Sequence, residues 1–168
     1  MGKRSIKENK NVYQLAREEL NLTREQASDL LEYITSDRIE KIESEKSIPH
    51  PEEVLKMSEC YKKPELCNYY CTHECAIGEK YVTPVETKDL SDITIGVIAA
   101  LNRLNKEKER FIEIVEDGKI TIDEHKDFKL IKRELDKISK DVSNLRLWLD
   151  KNINEGNIDP SVLDDEQA

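Results

Sequence analysis

Residues 22–46, with the sequence LTREQASDLLEYITSDRIEKIESEK, contain two short runs that each begin at a strong helix-capping residue. Thr23 and, three positions later, Gln26 have the spacing of a capping box, in which each residue satisfies the other's backbone N–H at a helix start. Thr35 or Ser36 can cap the second run. Few residues remain between the runs, so the sequence predicts two short helices joined by a tight turn.

Apolar residues at helical spacing continue on both sides of this pair. They predict a first helix within residues 11–21, and Pro51 and Pro64 mark the starts of a fourth and a fifth helix. The residues expected to face the core are Val12, Leu15, Ala16, Leu20, Ala27, Leu30, Leu31, Ile39, Ile42, Val54, Leu55 and Met57 or Ser58. The sequence therefore predicts a five-helix, all-α domain over residues 1–78.

The apolar pattern changes after a linker at residues 79–88, and residues 89–151 read as two long helices. The first carries Ile93, Val97, Leu101, Leu104, Phe111 and Val115. The second carries a heptad seam of Phe128, Ile131, Leu135, Ile138, Val142, Leu145 and Leu149. Gly118 should end the first helix and Thr121 or Asp123 should start the next, which predicts a long antiparallel helical hairpin. Residues 152–168 are expected to be a flexible acidic tail.

The charge of the chain limits the classes of function. The net charge is −9; residues 1–64 hold twelve basic and thirteen acidic residues, and the remainder hold fifteen and twenty-three. General attraction to nucleic acid is therefore weak, and DNA binding would need a local basic edge. No apolar run approaches the roughly 18–20 residues of a membrane span, and no signal peptide is evident, so we expect a cytoplasmic protein without membrane contact. His50, His73 and His125 are far apart and form no nucleophile pattern, so we predict no enzyme.

Three segments of the first domain carry a family resemblance: LTREQASDLL, RIEKIESEKSIP and EEVLKMSECYK. In order, spacing and buried positions they resemble the Cro/C1-type (XRE) helix-turn-helix repressors, over about residues 11–62. The resemblance implies a lambda-repressor-like DNA-binding domain and a sequence-specific transcriptional regulator of double-stranded DNA. By position it implies that Gln26 contacts a phosphate and that Arg24 and Lys46 contact the DNA backbone. It places Ser36, Asp37, Arg38 and Lys41 in the major groove.

Two departures from the family pattern leave a second function open. The turn LEYIT lacks the usual glycine and is one residue longer, and the recognition helix carries Asp37, Glu40, Glu43 and Glu45. Carboxylates repel phosphate, although they can accept a hydrogen bond from a cytosine amino group. The alternative is a protein-interaction module, or an acidic inhibitor, built on a helix-turn-helix scaffold that does not bind DNA.

All four cysteines lie within sixteen residues, at Cys60, Cys67, Cys71 and Cys75. Because disulfides are disfavoured in the cytoplasm, the cluster predicts a metal site holding one structural zinc ion. Cys67 and Cys71 are one helical turn apart, and Cys75 reaches the same ion only if the helix ends near Thr72. Free thiols packed between short helices are the alternative, followed by an iron–sulfur cluster or a redox switch.

The hairpin also predicts a partner. Its seam, together with Trp148 beside it, offers more apolar surface than one short helix covers, so we expect a homodimer through residues 89–151. The alternatives are a separate protein partner and a monomer whose hairpin docks on its own N-terminal domain.

Overall fold

The computed structural model of the protein describes residues 10–115 and 120–163, and within these ranges the chain is helical without a β-strand. The helices are α1 (Val12–Glu19), α2 (Arg24–Leu31), α3 (Ser36–Glu43), α4 (Pro51–Cys60), α5 (Glu65–His73), α6 (Ala76–Tyr81), α7 (Leu90–Lys106), α8 (Lys108–Val115) and α9 (His125–Asn154), followed by a 3-10 helix at Pro160–Leu163. The expected all-α fold is confirmed. None of the described helices combines the length and the apolar character needed to cross a membrane.

The chain divides into two compact units. The first, the N-terminal unit, contains Met1–Pro84 with Asp150–Ala168, and the second, the hairpin unit, contains Val85–Leu149. The helix starts of the N-terminal unit follow the capping signals. The Thr23 hydroxyl accepts a hydrogen bond from the Gln26 N–H at 3.2 Å, and the Gln26 side-chain oxygen accepts one from the Thr23 N–H at 2.9 Å. Thr35 caps α3, and Pro51 is the first residue of α4.

The buried face of α1 differs from the face that its leucines predicted. Tyr13 and Ala16 are buried, whereas Leu15 and Leu20 are 45% and 41% exposed. Gln14 and Arg17, both polar, lie inside instead. Leu30 and Leu55, also expected in the core, are likewise exposed. Apolar spacing alone therefore misplaced the inward face of α1 by about one residue.

The physical reason for this orientation is an ion pair in the core. Arg17 on α1 donates two hydrogen bonds to the carboxylate of Glu43 on α3, from Nε to Oε1 and from Nη2 to Oε2 at 2.9 Å. The side chain of Arg17 is 7% exposed and that of Glu43 is 1% exposed. A buried charge is tolerated only when it is paired and hydrogen-bonded, so α1 must turn Arg17 inward and Leu15 outward.

A sixth helix, α6, which the apolar spacing did not predict, packs against α5. The two helices approach closely because Gly78 has no side chain: a Cβ at this position would lie 2.0 Å from the carbonyl oxygen of Cys71. On its other side α5 is tied to α1, since the hydroxyl of Tyr13 donates to the Glu74 carboxylate at 2.8 Å. The rings of Tyr13 and Tyr69 also form a T-shaped contact, with ring centroids 6.1 Å apart.

The hairpin unit has the antiparallel arrangement that was expected. Arg103 of α7 donates to Glu134 of α9 at 2.7 Å, and Arg110 of α8 donates to Asp127 of α9, also at 2.7 Å. The later residue, Arg110, contacts the earlier residue of α9, Asp127, so α9 runs antiparallel to α7 and α8. Gly96 lies against the carboxylate of Asp141, where a Cβ would come within 2.6 Å of Oδ2.

The heptad seam of α9 is buried only in part. Ile131 is 1% exposed, but Leu135 and Val142 are 42% and 53% exposed. Glu134 and Asn144 are buried in their place, because Glu134 accepts from Arg103 and the Asn144 side-chain oxygen accepts from a backbone N–H at 3.1 Å. Polar contacts, rather than the apolar repeat, thus set the inward face of α9.

The boundaries within the hairpin unit are as follows. The first predicted helix is divided into α7 and α8 at Glu107, and α9 begins at His125, after both predicted starts at Thr121 and Asp123. The predicted break at Gly118 lies outside the described residues. The Thr121 hydroxyl donates to the Glu124 side chain at 2.7 Å just before α9 begins.

The buried ion pair generates a stability prediction. Glu43→Gln removes the charge that compensates Arg17, and we expect it to lower the free energy of unfolding by about 3–5 kcal/mol. Glu40→Gln removes an acid from the exposed side of the same helix and should change it by less than about 0.5 kcal/mol. Urea unfolding followed by circular dichroism measures both. Equal stability of the two variants would show that the pair does not hold α1 against α3.

Candidate nucleic-acid interface

The turn between α2 and α3 contains a residue with a positive φ that is not glycine. Glu32 has φ 65° and ψ −68°, and the Tyr33 N–H donates to the Leu31 carbonyl at 2.8 Å, which closes a γ-turn. Contacts with α4 hold this turn: the Tyr33 hydroxyl donates to the Glu52 carbonyl at 3.0 Å, and Lys56 lies 3.3 Å from the Glu32 carboxylate. The turn positions α3 although it departs from the glycine pattern.

Helix α3 has one face in the core and one in solvent. Ile39 and Ile42 are each 1% exposed and anchor it to the N-terminal unit. The opposite side, here called the outer face, consists of Ser36, Asp37, Glu40 and Lys41. At about 100° per residue these four positions fall within about 140° of the helix circumference. All are exposed except Ser36, which is half-buried. The structure thus brings three of the four predicted groove residues together and adds Glu40.

Arg38, the fourth predicted groove residue, is held by contacts inside the protein. It donates to both carboxylate oxygens of Glu53 on α4, at 2.7 and 2.6 Å, and also to the Ser47 hydroxyl and the Ile48 carbonyl. The side chains of Arg38 and Glu53 are 22% and 12% exposed. A bidentate pair of this kind fixes the guanidinium in one orientation. Arg38 therefore joins α3 to α4 at the edge of the outer face.

The pair shifts the ionisation of both partners. Burial disfavours the charge on Glu53, but hydrogen bonds from Arg38 and from the His50 N–H outweigh it and bring the Glu53 pKa below its ordinary value. The hydrogen bond to Glu53 raises the pKa of Arg38. Both groups are thus charged at neutral pH, and the charge of Arg38 is compensated inside the protein by Glu53.

Of the predicted backbone contacts, Arg24 also has an internal partner. Its Nε donates to the second oxygen of Glu43 at 2.8 Å, while its side chain remains 34% exposed. Its guanidinium carries further N–H groups beyond the one in this bond. The Gln26 side-chain oxygen is engaged in the capping box, and Lys46 is exposed just beyond α3. The Glu43 carboxylate, expected among the acids that would repel phosphate, is instead buried between two arginines.

The outermost two cysteines of the cluster make separate local contacts. The Cys60 thiol, at the end of α4, donates to the Leu30 carbonyl with a sulfur–oxygen distance of 3.6 Å. The sulfur of Cys75, between α5 and α6, accepts from the Gly78 N–H at 3.4 Å and caps α6. Helix α5 does end near Thr72, at His73, as a shared metal site would require.

All four cysteines are half-buried and free of disulfides. Burial is the main cause that raises the pKa of Cys60 and of Cys71, so both favour the thiol over the metal-binding thiolate. Within residues 10–115 and 120–163, no group of three or more His, Cys, Asp or Glu side chains is arranged to hold a metal ion. The zinc ion therefore stays a prediction, and the described contacts add no support to it.

Comparison with known proteins identifies the domain that carries this interface. Residues 14–66 match a family model described as Helix-turn-helix, which covers α1 to α4 and the start of α5. No curated protein and no solved structure matched the chain. The match supports the expected Cro/C1-type domain, and this type of domain is DNA-binding and regulatory.

The Arg38–Glu53 pair predicts a pH dependence of stability. The pKa of Glu53 is lowered in the folded protein, so its contribution is complete above the unfolded value of about 4.5 and is lost as pH falls through the folded value. Glu53→Gln should therefore lose less stability than wild type between pH 7 and pH 3. Glu59→Gln, at an exposed position of the same helix, should behave as wild type. Thermal unfolding across this range measures the difference, and equal losses in all three proteins would contradict it.

Proposed function

We propose that this protein, whose residues 14–66 form a Cro/C1-type helix-turn-helix domain, is a sequence-specific regulator that binds double-stranded DNA and acts as a repressor-like protein. Helix α3 would enter the major groove, and its outer face would meet the base edges. The main observation in support of this proposal is that Ile39 and Ile42 anchor α3 in the core while its polar outer face is directed towards solvent from the first turn onward.

The outer face has the chemistry needed to read bases. Lys41 supplies N–H donors, which suit the O6 and N7 acceptors of guanine, and Asp37 supplies acceptors. The hydroxyl of Ser36 both donates and accepts. Such a set discriminates between base pairs, whereas a purely basic helix would mainly contact phosphates.

Among the residues that the structure describes, few groups remain to contact the phosphate backbone. We assign this role to Lys46, to the N–H groups of Arg24 that Glu43 does not engage, and to the Gln26 amide at the start of α2. These three residues by themselves would release few counterions, so their contribution to the salt dependence of binding should be modest. We assign to Arg38 the task of fixing the angle between α3 and α4.

One observation favours the second candidate, a protein-interaction module that does not bind DNA. Arg24 and Arg38 form ion pairs inside the protein. The outer face carries two acidic residues, Asp37 and Glu40, and one basic residue, Lys41. A surface of this charge would suit a basic protein partner. The two functions differ in one measurement, since only a DNA-reading protein enriches a common sequence from random duplexes.

The DNA-binding proposal predicts separate effects for two basic residues of α3. Lys41→Ala should weaken binding to the enriched duplex by about 1–3 kcal/mol and relax base preference at one position. Its unfolding free energy should stay within about 0.5 kcal/mol of wild type. Fluorescence anisotropy with the enriched duplex and a scrambled duplex measures the loss. Lys80→Ala, which removes the same charge from α6, is the matched control and should bind as wild type.

Arg38→Ala should behave in the opposite way. Removing this side chain leaves Glu53 without its bidentate partner, so the unfolding free energy should fall by about 2 kcal/mol. Base preference should be kept at temperatures where the variant is folded. Full binding by Lys41→Ala, or a stable Arg38→Ala that has lost base preference, would contradict these assignments.

We further propose that a second copy of the chain covers the outside of the hairpin unit. Helix α7 buries Ile93 and Ala100 but leaves Ile95, Ile98 and Leu101 exposed along its other side. The last three recur at three-residue intervals and form a second apolar stripe. On α9, Leu135 and Val142 are exposed seven residues apart. A two-chain helical bundle would cover such stripes and would give the protein two copies of α3, one for each half-site of a two-part DNA sequence.

This proposal predicts that charged residues introduced into the apolar stripe of α7 dissociate the dimer. Ile95→Lys with Ile98→Lys should convert a dimeric protein into a folded monomer, because burying two lysines costs more than the stripe contributes. Ile77→Lys, at an exposed apolar position of α6, should leave the dimer unchanged. Sedimentation equilibrium at tens of micromolar measures the mass. A monomeric wild-type protein would exclude the dimer and favour a hairpin that serves a different partner.

A further inference from the structure

Glu40 lies in the middle of the outer face of α3 without a structural role that accounts for its charge. Among the described residues its basic neighbour is Lys46, whose Nζ is 3.9 Å away, and the side chains of Glu40 and Lys46 are 51% and 68% exposed. An exposed pair at this distance contributes little to stability. Glu43, one turn further on, differs entirely because it is buried against two arginines.

The helix dipole does not explain Glu40 either. Acids are favourable in the first turn of a helix, where backbone N–H groups are unpaired, and Asp37 at the second position of α3 benefits in this way. The effect fades beyond the first turn, and Glu40 is the fifth residue. In a groove lined by phosphates, a carboxylate at this position is repelled unless a donor on a base edge compensates it.

The chemistry of base edges identifies that donor. An ionised carboxylate only accepts hydrogen bonds. In the major groove cytosine presents only its N4 amino donor, guanine presents two acceptors, and thymine presents an acceptor beside a methyl group. Adenine pairs a donor with an acceptor, which suits an amide better than a carboxylate.

We propose that Glu40 is a specificity-determining residue that accepts a hydrogen bond from the N4 amino group of a cytosine in the bound DNA. The inference rests on the proposed DNA-binding function and names the base that this position reads. It also fits the acidic charge of the domain, in which residues 14–66 hold eight basic and thirteen acidic residues. Glu40 would lower the affinity for every duplex that lacks cytosine at that position, and general attraction to phosphate is too weak to mask the difference.

The conservative variant Glu40→Gln distinguishes recognition of a base by Glu40 from simple repulsion between Glu40 and the phosphates. Glu40→Gln turns an acceptor-only group into an amide that donates and accepts, so the enriched sequence should change from cytosine to adenine at one position and stay the same elsewhere. Glu45→Gln removes the same charge from an exposed residue just past the end of α3 and serves as the matched control. It should keep the wild-type sequence.

A modified base tests the contact at the level of one atom. N4-methylcytosine keeps its Watson–Crick N–H but carries a methyl group in place of the hydrogen that faces the major groove. At the Glu40 position it should weaken wild-type binding about tenfold or more and should affect Glu40→Gln much less. The same base elsewhere in the duplex, away from contacted positions, is the internal control.

The outcomes separate this inference from the function on which it rests. Enrichment of no common sequence by the wild-type protein overturns the DNA-reading function itself. If wild-type protein and Glu40→Gln enrich the same sequence, and Glu40→Gln binds all duplexes more tightly, the proposed contact with cytosine is wrong. Glu40 then only repels DNA. A cytosine-to-adenine change in Glu40→Gln alone, together with the N4-methyl effect, supports the proposal.

Discussion

The buried carboxylate of Glu43 is the interaction on which the N-terminal unit depends. It accepts hydrogen bonds from Arg17 on α1 and from Arg24 at the start of α2, so a single side chain of α3 joins three helices. Charges removed from water must be matched in position and number, which permits few arrangements of these helices. The outward position of Leu15 and the orientation of α3 both follow from this requirement.

A second ion pair extends the same principle to α4. Arg38 and Glu53 meet through two hydrogen bonds, and the turn at Glu32 is fastened to α4 by Tyr33. These ion pairs thus hold Arg17, Arg24 and Arg38 in contacts with carboxylates of the protein itself. Among the described residues, the outer face of α3 therefore keeps Asp37, Glu40 and Lys41 as its exposed charged side chains.

The hairpin unit uses polar groups in a comparable way. Glu134 receives hydrogen bonds from Arg103 and Lys137, and Asn144 receives one from the backbone of Glu86. Buried polar contacts define register more strictly than apolar contacts, because a shift of one residue leaves them unsatisfied. Apolar residues of the predicted seam, such as Leu135, lie on the surface instead.

Local signals in the sequence were sufficient for α1 to α5 and for the type of fold, although they predicted neither α6 nor the division between α7 and α8. The capping box of Thr23 and Gln26, the cap at Thr35 and the proline at the start of α4 act within one helical turn, so they are readable without the rest of the chain. The family resemblance over residues 11–62 agrees with the matched range of 14–66. The helical hairpin followed from apolar spacing, although its exact inward face did not.

Only the tertiary structure decided which charges are internal. In the sequence, Arg38 and Lys41 are two basic residues of one helix, and Glu40 and Glu43 are two acidic residues three positions apart. Arg38 and Glu43 find partners on other helices, while Lys41 and Glu40 stay on the outer face. A pairing between residues that are 15 or 26 positions apart leaves no local pattern, because it depends on how the helices pack. The sequence determined where the first five helices begin and which type of domain they form, and packing determined which charged side chains stay on the outer face.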